Sequence, residues 1–119
     1  MPEGLAATPE PPYYAVLFTA RRTPADDAGY AAMAEAMEAL AARQPGYLGI
    51  ESARGANGLG ITISYWTDPD SVRAWKQHAE HLVAQRLGRE KWYEHYFLRV
   101  CRVERAYAWE KPGVSGRGS

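Results

Sequence analysis

Two of the three histidines in this chain, His78 and His81, stand three residues apart in RAWKQHAEHLVAQRLG (73–88), just after Trp75. Residues at i and i+3 share one face of a helix, so both imidazoles can reach a single small ligand. Three chemistries suit such a pair: metal ligation, acid–base work, or ordinary hydrogen bonding on a helix surface. Metal ligation needs more than the pair offers, because catalytic zinc and non-haem iron take a third protein ligand. Glu80 sits about 100° around the helix from His81, and His95 is the only other imidazole. No metal is expected. Acid–base work fits better, since imidazole titrates near neutral pH. His81 is the preferred base, with His78 beside it, because the stripe His78, His81, Gln85 borders the apolar stripe of the same helix. The plain alternative is a pair of solvated side chains on a helix flank.

Aromatic side chains supply the rest of a conceivable site. Trp66, Trp75, Tyr93 and Tyr96 can line an apolar cavity and present N–H or O–H donors into it, with Tyr30 and Met33 completing the wall. Each has a structural alternative. Trp75 recurs at helical spacing with Val72 and Leu82, which is core patterning; Met33 and Met37 fill cores well; Tyr93 and Tyr96 suit a subunit seam. Cys101 has no cysteine to pair with and is expected to be buried and structural.

The bulk of the chain excludes several partners. Its 119 residues allow one domain with a real core. Fourteen acidic and fourteen basic residues are interspersed, so no basic face for nucleic acid or an anionic membrane is expected. No apolar run is long enough to span a bilayer, and MPEGLAATPEPP does not resemble a signal peptide. A cytoplasmic protein is expected. Four of the eight prolines fall in the first twelve residues, and the last seven are GVSGRGS. Residues 1–12 and 110–119 therefore read as flexible tails around a folded unit at 13–109.

Within that unit, YYAVLFTA (13–20) reads as a strand. Tyr30, Met33, Met37, Leu40 and Ala41 mark an amphipathic helix that stops near Pro45–Gly46. YLGIESAR and GITISYW flank a turn with Asn57–Gly58, a pair suited to positive φ, and so form a hairpin. Thr67 or Asp68 caps a second helix with Pro69 in its first turn and Gly88 at its end. WYEHYFLRVCRVERAYAW closes the set as a strand, with a bulge expected around Val100, Cys101 and Val103. The order is β-α-β-β-α-β, a ferredoxin-like α+β domain with two helices on one face of a four-stranded antiparallel sheet. In the first strand both alternate sets, Tyr13–Ala15–Leu17 and Tyr14–Val16–Phe18, are apolar or aromatic. Two helices cover one face only, so a second copy is expected on the other, in a homodimer joined through its sheet faces.

With these elements in place, QPGYLGIES, ITISYW, AWK…EH…AQRLGR and WYEHYFLRVCRVER together resemble the antibiotic biosynthesis monooxygenase domain, over roughly residues 13–107. The resemblance implies a dimeric α+β barrel. It also implies a monooxygenase that needs neither metal nor flavin, whose phenolic or quinol-type aromatic substrate loses a proton and reduces dioxygen itself. Such chemistry asks for an apolar pocket, a proton acceptor and donors for the developing oxyanion. The same family has a haem-degrading branch, with an Asn on the first strand, a Trp on the second helix and an axial His about three turns beyond. Trp75 matches that tryptophan, but Leu17 and Gln85 stand at the other two places, so haem binding or degradation is not expected. A non-catalytic dimeric module that binds a small aromatic ligand or a partner protein is the alternative.

Overall fold

The computed structural model describes residues 4–25, 27–85 and 92–113, the side chains of 81–85 excepted. The elements run β1 (Tyr13–Arg22), α1 (Asp27–Ala42), β2 (Tyr47–Arg54), β3 (Leu59–Trp66), α2 (Pro69–Gln85) and β4 (Tyr93–Val103). This is the expected β-α-β-β-α-β order. The four strands form one antiparallel sheet in the order β2-β3-β1-β4, with both helices on one face. Among the described residues no helix is long and apolar enough to cross a membrane.

Local chemistry explains the joints. The Leu59 N–H donates to Asn57 Oδ1 at 3.1 Å, and Gly58 takes φ +88°, which closes the β2–β3 hairpin. The Arg22 N–H donates to the Gly58 carbonyl at 2.9 Å, tying that turn to the end of β1. Asp68 is the α2 cap: its Oδ1 accepts the Ser71 N–H at 2.8 Å, while the Thr67 hydroxyl donates to its Oδ2 at 2.9 Å. Gly46 ends the α1 turn at φ +84°, where a Cβ would lie 2.8 Å from Thr67 Oγ1. Gly88, the expected stop of α2, lies outside the described residues.

Register decides which side chains face the helices. Val16 pairs with Ser64 and Val100, and Phe18 with Thr62 and Leu98, so these residues share the helix-facing side. Leu17 pairs with Ile63 and Arg99 on the open side. The bulge of β4 is not at Val100–Val103 as the sequence suggested; pairing there is unbroken from Tyr13 to Arg21. The register shifts instead where Arg21 meets His95 and Arg22 meets Tyr93, which leaves Glu94 as the extra residue. The apolar residues at 100 and 103 mislead because β4 is an edge strand whose far end neither helix covers; Val100 is 55 % exposed. The displaced bulge turns Tyr93 and Tyr96, three residues apart, toward the same side, with ring centroids 5.5 Å apart.

Two apolar clusters fill the space between sheet and helices. One joins Val16, Ala41, Trp66, Val72 and Trp75; the other joins Ala20, Tyr30, Met33, Trp92 and Tyr93. The open side is partly apolar, with Ile61 and Phe97 exposed on it. Cys101 also proves exposed rather than buried, because it points from the outer strand toward the side that lacks helices. Residues expected in the N-terminal tail touch this side: the Ala6 N–H donates to Glu51 Oε2 at 3.0 Å, and the Thr8 hydroxyl to the Tyr13 oxygen at 3.0 Å.

Candidate active site

Between the two clusters lies a cavity of about 200 Å³. Its floor is the sheet: Val16 and Phe18 of β1, Thr62 and Ser64 of β3, Tyr96 and Leu98 of β4. Its roof is Tyr30, Met33 and Met37 of α1 with Trp75 and Ala79 of α2. The 3- and 4-residue steps on each helix put these residues on the inner stripe. Period-2 alternation settles β3: Thr62 and Ser64 face the cavity, and Ile61, Ile63 and Tyr65 face away.

Polar groups sit at two ends of this apolar space. At one end the Tyr30 ring carries two guanidinium groups, Arg22 Cζ at 3.8 Å and Arg54 Cζ at 4.9 Å from its centroid. Arg22 is neutralised by Asp27, Nη2 to Oδ1 at 3.0 Å, although its buried Nε has no hydrogen-bond partner among the described residues. The Tyr93 ring packs edge-on against Tyr30 at 5.9 Å. Burial, then the adjacent Tyr30 hydroxyl, holds the Tyr93 phenol above its ordinary range, while Arg54 and Arg22 pull the other way. At the other end, Glu38 lines the wall close enough to Tyr47 to reinforce the upward shift that burial imposes on that phenol. Lys76 and Glu80 complete the wall and pair at 3.7 Å.

The structure gathers most of the residues singled out in the sequence. Tyr30, Met33, Trp75, Tyr93 and Tyr96 all line the cavity. Trp66 does not: fully buried, it stacks on Trp75 at 5.6 Å and donates its indole N–H to Ser64 Oγ at 2.9 Å. That bond satisfies both buried polar groups, so Trp66 braces the wall from behind. His78 is exposed on α2 and does not line the cavity. The side chain of His81 lies outside the described residues. Sequence reasoning missed Arg22, Arg54, Glu38 and the Lys76–Glu80 pair. Glu38 and Glu80 carried a faint signal, each one step from an apolar helix position, but the arginines carried none.

An apolar cavity roofed by helices, with hydroxyl and charged groups at its ends, has the form of a small-molecule site. The family model for antibiotic biosynthesis monooxygenase matches residues 14–87, and the chain belongs to that family. It is 50 % identical over 105 residues to the uncharacterised protein YqjZ of Bacillus subtilis, covering 88 % of this chain and 91 % of that one. It is 32 % identical over 94 residues to a jasmonate monooxygenase of Pyricularia oryzae, covering 76 % of this chain and 43 % of that longer one. In structure it is similar to SnoaB, a cofactor-independent oxygenase from Streptomyces nogalater. That match has a TM-score of 0.62 at 16 % identity and covers 87 % of this chain and 99 % of SnoaB. A crystal structure of a Pseudomonas aeruginosa protein matches with a TM-score of 0.62 at 16 % identity, covering 84 % and 100 %. At such identities these structures speak to the fold.

Proposed function

We propose that this protein is a cofactor-independent monooxygenase of a small phenolic or quinol-type aromatic molecule. The observation that carries the proposal is the apolar cavity between the layers, with phenol hydroxyls and carboxylates on its wall. The substrate lies between Phe18 and Trp75, loses a proton to a wall group, and the electron-rich anion then reduces dioxygen directly. An apolar surround favours that reaction by keeping water from the reactive anion. The oxygenase activity named for the fungal relative and for SnoaB supports the same reading. Three groups are candidates for the base: His81 of α2, and Glu38 and Glu80 on the cavity wall. His78, exposed on α2, serves at most as a relay to solvent.

The test is oxygen consumption with a panel of hydroquinones and anthrones, without added metal or flavin. Uptake above the uncatalysed rate is expected with at least one member. His81→Ala, Glu38→Gln and Glu80→Gln then separate the bases: loss of the true one lowers kcat by about 10²–10⁴-fold. Binding of panel members with no oxygen uptake from any of them would refute the catalytic reading and leave a ligand-binding module.

The working unit we propose is a homodimer, its sheets packed through the sides that lack helices. Ile61 at 42 % and Phe97 at 51 % exposure, flanking the half-buried Leu17 and Ile63, support it. Ile61→Glu is expected to halve the mass seen by sedimentation, whereas a wild-type particle of 13.2 kDa would end the dimer proposal. That Cys101 is the chain's single cysteine supports a reducing, cytoplasmic setting.

A further inference from the structure

Among the described residues four charged side chains line the cavity, and their pairing is uneven. Lys76 and Glu80 neutralise each other on α2. Arg22, behind Tyr30, is held by Asp27. Arg54 has no carboxylate within ion-pair distance among the described residues, yet its guanidinium lies against the Tyr30 ring and acts on the Tyr93 hydroxyl. Its position is built by the sheet. Arg54 ends β2 opposite Gly60 of β3, and the side chain lies flat across that glycine: a Cβ there would meet Nη1 at 3.2 Å and Cζ at 3.6 Å. A Cβ at 60 would make the guanidinium give by a few tenths of an ångström, and a larger side chain would shift it further. The remaining unpaired charge, Glu38, stands eight residues from Tyr30 on α1, about 12 Å along the helix. Among the described residues the cavity is therefore polarised, with one free cation beside two phenol hydroxyls at one end and one unpaired carboxylate toward the other.

We propose that the substrate of this cavity carries a carboxylate, and that Arg54 holds that carboxylate beside Tyr30 and Tyr93. The inference rests on the reading of the cavity as an oxygenase site for a small aromatic, and it narrows that substrate to a phenolic or quinol-type aromatic acid. One free guanidinium matches one planar monoanion, which it can meet with two parallel hydrogen bonds. A phosphate dianion is a poor fit, because the second arginine is already neutralised and Glu38 lines the same wall. The volume sets the body of the molecule. About 200 Å³ is below the roughly 300–1,000 Å³ of pockets for drug-sized ligands, so one or two rings fill it. With its carboxylate on Arg54, a two-ring molecule points its far hydroxyl toward Glu38 and the proton acceptors of the helices. Arg54 is then a specificity-determining residue, and Gly60 the residue that positions it.

The probe is a matched pair, 6-hydroxy-2-naphthoate and its neutral 6-hydroxy-2-naphthamide, titrated against the full-length protein by calorimetry and by quenching of tryptophan fluorescence. The acid is expected to bind about tenfold tighter than the amide, a charge-assisted hydrogen bond at a partly solvated position. Arg54→Gln removes the difference, Arg54→Lys keeps part of it, and Gly60→Ala weakens the acid without weakening the amide. In the wild type, raising the salt concentration narrows the gap, a readout that needs no variant to fold. Equal affinity for acid and amide, or a preference that survives Arg54→Gln, overturns the proposal. Binding is read separately from oxygen uptake, so an acid-selective protein that consumes no oxygen refutes the oxygenase reading and leaves Arg54 in its role. An oxygenase indifferent to the carboxylate does the reverse.

Discussion

The two ends of the space between sheet and helices are built from similar residues to opposite purposes. At the Trp66 end the buried polar pair is satisfied within the protein: Trp66 donates to Ser64, while Tyr47 packs edge-on against the indole at 5.7 Å and Trp75 stacks on its face. At the Tyr30 end the rings meet edge-on, as Phe18 with Tyr93 at 5.5 Å and Tyr30 with Trp92 at 6.1 Å, but the polar equipment exceeds what the protein itself consumes. Among the described residues the Arg54 guanidinium has no carboxylate within ion-pair distance and the buried Arg22 Nε has no acceptor. Aromatic content alone does not distinguish a core from a site. The balance of polar groups does, since a finished core leaves no buried donor or unpaired charge unsatisfied.

That contrast breaks most readily at Trp66. Trp66→Ala empties a fully buried position and is expected to cost about 3–5 kcal/mol of stability, read from denaturant midpoints. A loss below about 1 kcal/mol would mean that this end is not the closed core described. Tyr93→Phe should behave in the opposite way. It removes one hydroxyl beside Tyr30, so stability is expected to change by about 1 kcal/mol or less while ligand affinity or turnover falls severalfold. If the same substitution leaves ligand behaviour untouched, the Tyr30 end is core as well.

The smallest effect belongs to Asp68, which caps α2 beside the Trp66 end. Accepting the Ser71 N–H, then the Thr67 hydroxyl, holds its carboxyl below the ordinary value of 3.8. A depressed folded-state pKa means that the stabilisation is complete above the unfolded value and lost as pH falls through the lower folded one. Asp68→Asn is therefore expected to flatten the acid limb of the stability curve below pH 4, with a small loss of stability at neutral pH that disappears once the wild-type carboxyl is protonated. A changed slope above pH 5 would assign the effect to other groups.

Most of the fold could be read along the chain because its signals are local. The Asn57–Gly58 turn, the Asp68–Pro69 start of α2 and the apolar steps from Tyr30 to Ala41 each act within a few residues. The bulge of β4 was misplaced for an instructive reason. Its position depends on how Arg22 pairs with Tyr93 across the sheet, whereas the apolar residues at 100 and 103 reflect only an uncovered edge. The site was legible in its aromatic half and hidden in its charged half. Trp75, Tyr93 and Tyr96 advertise themselves by type; Arg54 looks like any arginine before a turn until Gly60 is seen beneath it.

Sequence by itself determined the element order, the hairpin, the helix cap and the membership of the apolar stripes, because each follows from periodicity and backbone preference over short spans. Tertiary structure alone decided that residues 22, 30, 54 and 93 share one cavity end, that Trp66 closes the other, and that His78 stays outside. Those outcomes depend on strand order and register. A shift of one residue in either would turn the same side chains to the opposite face of the sheet.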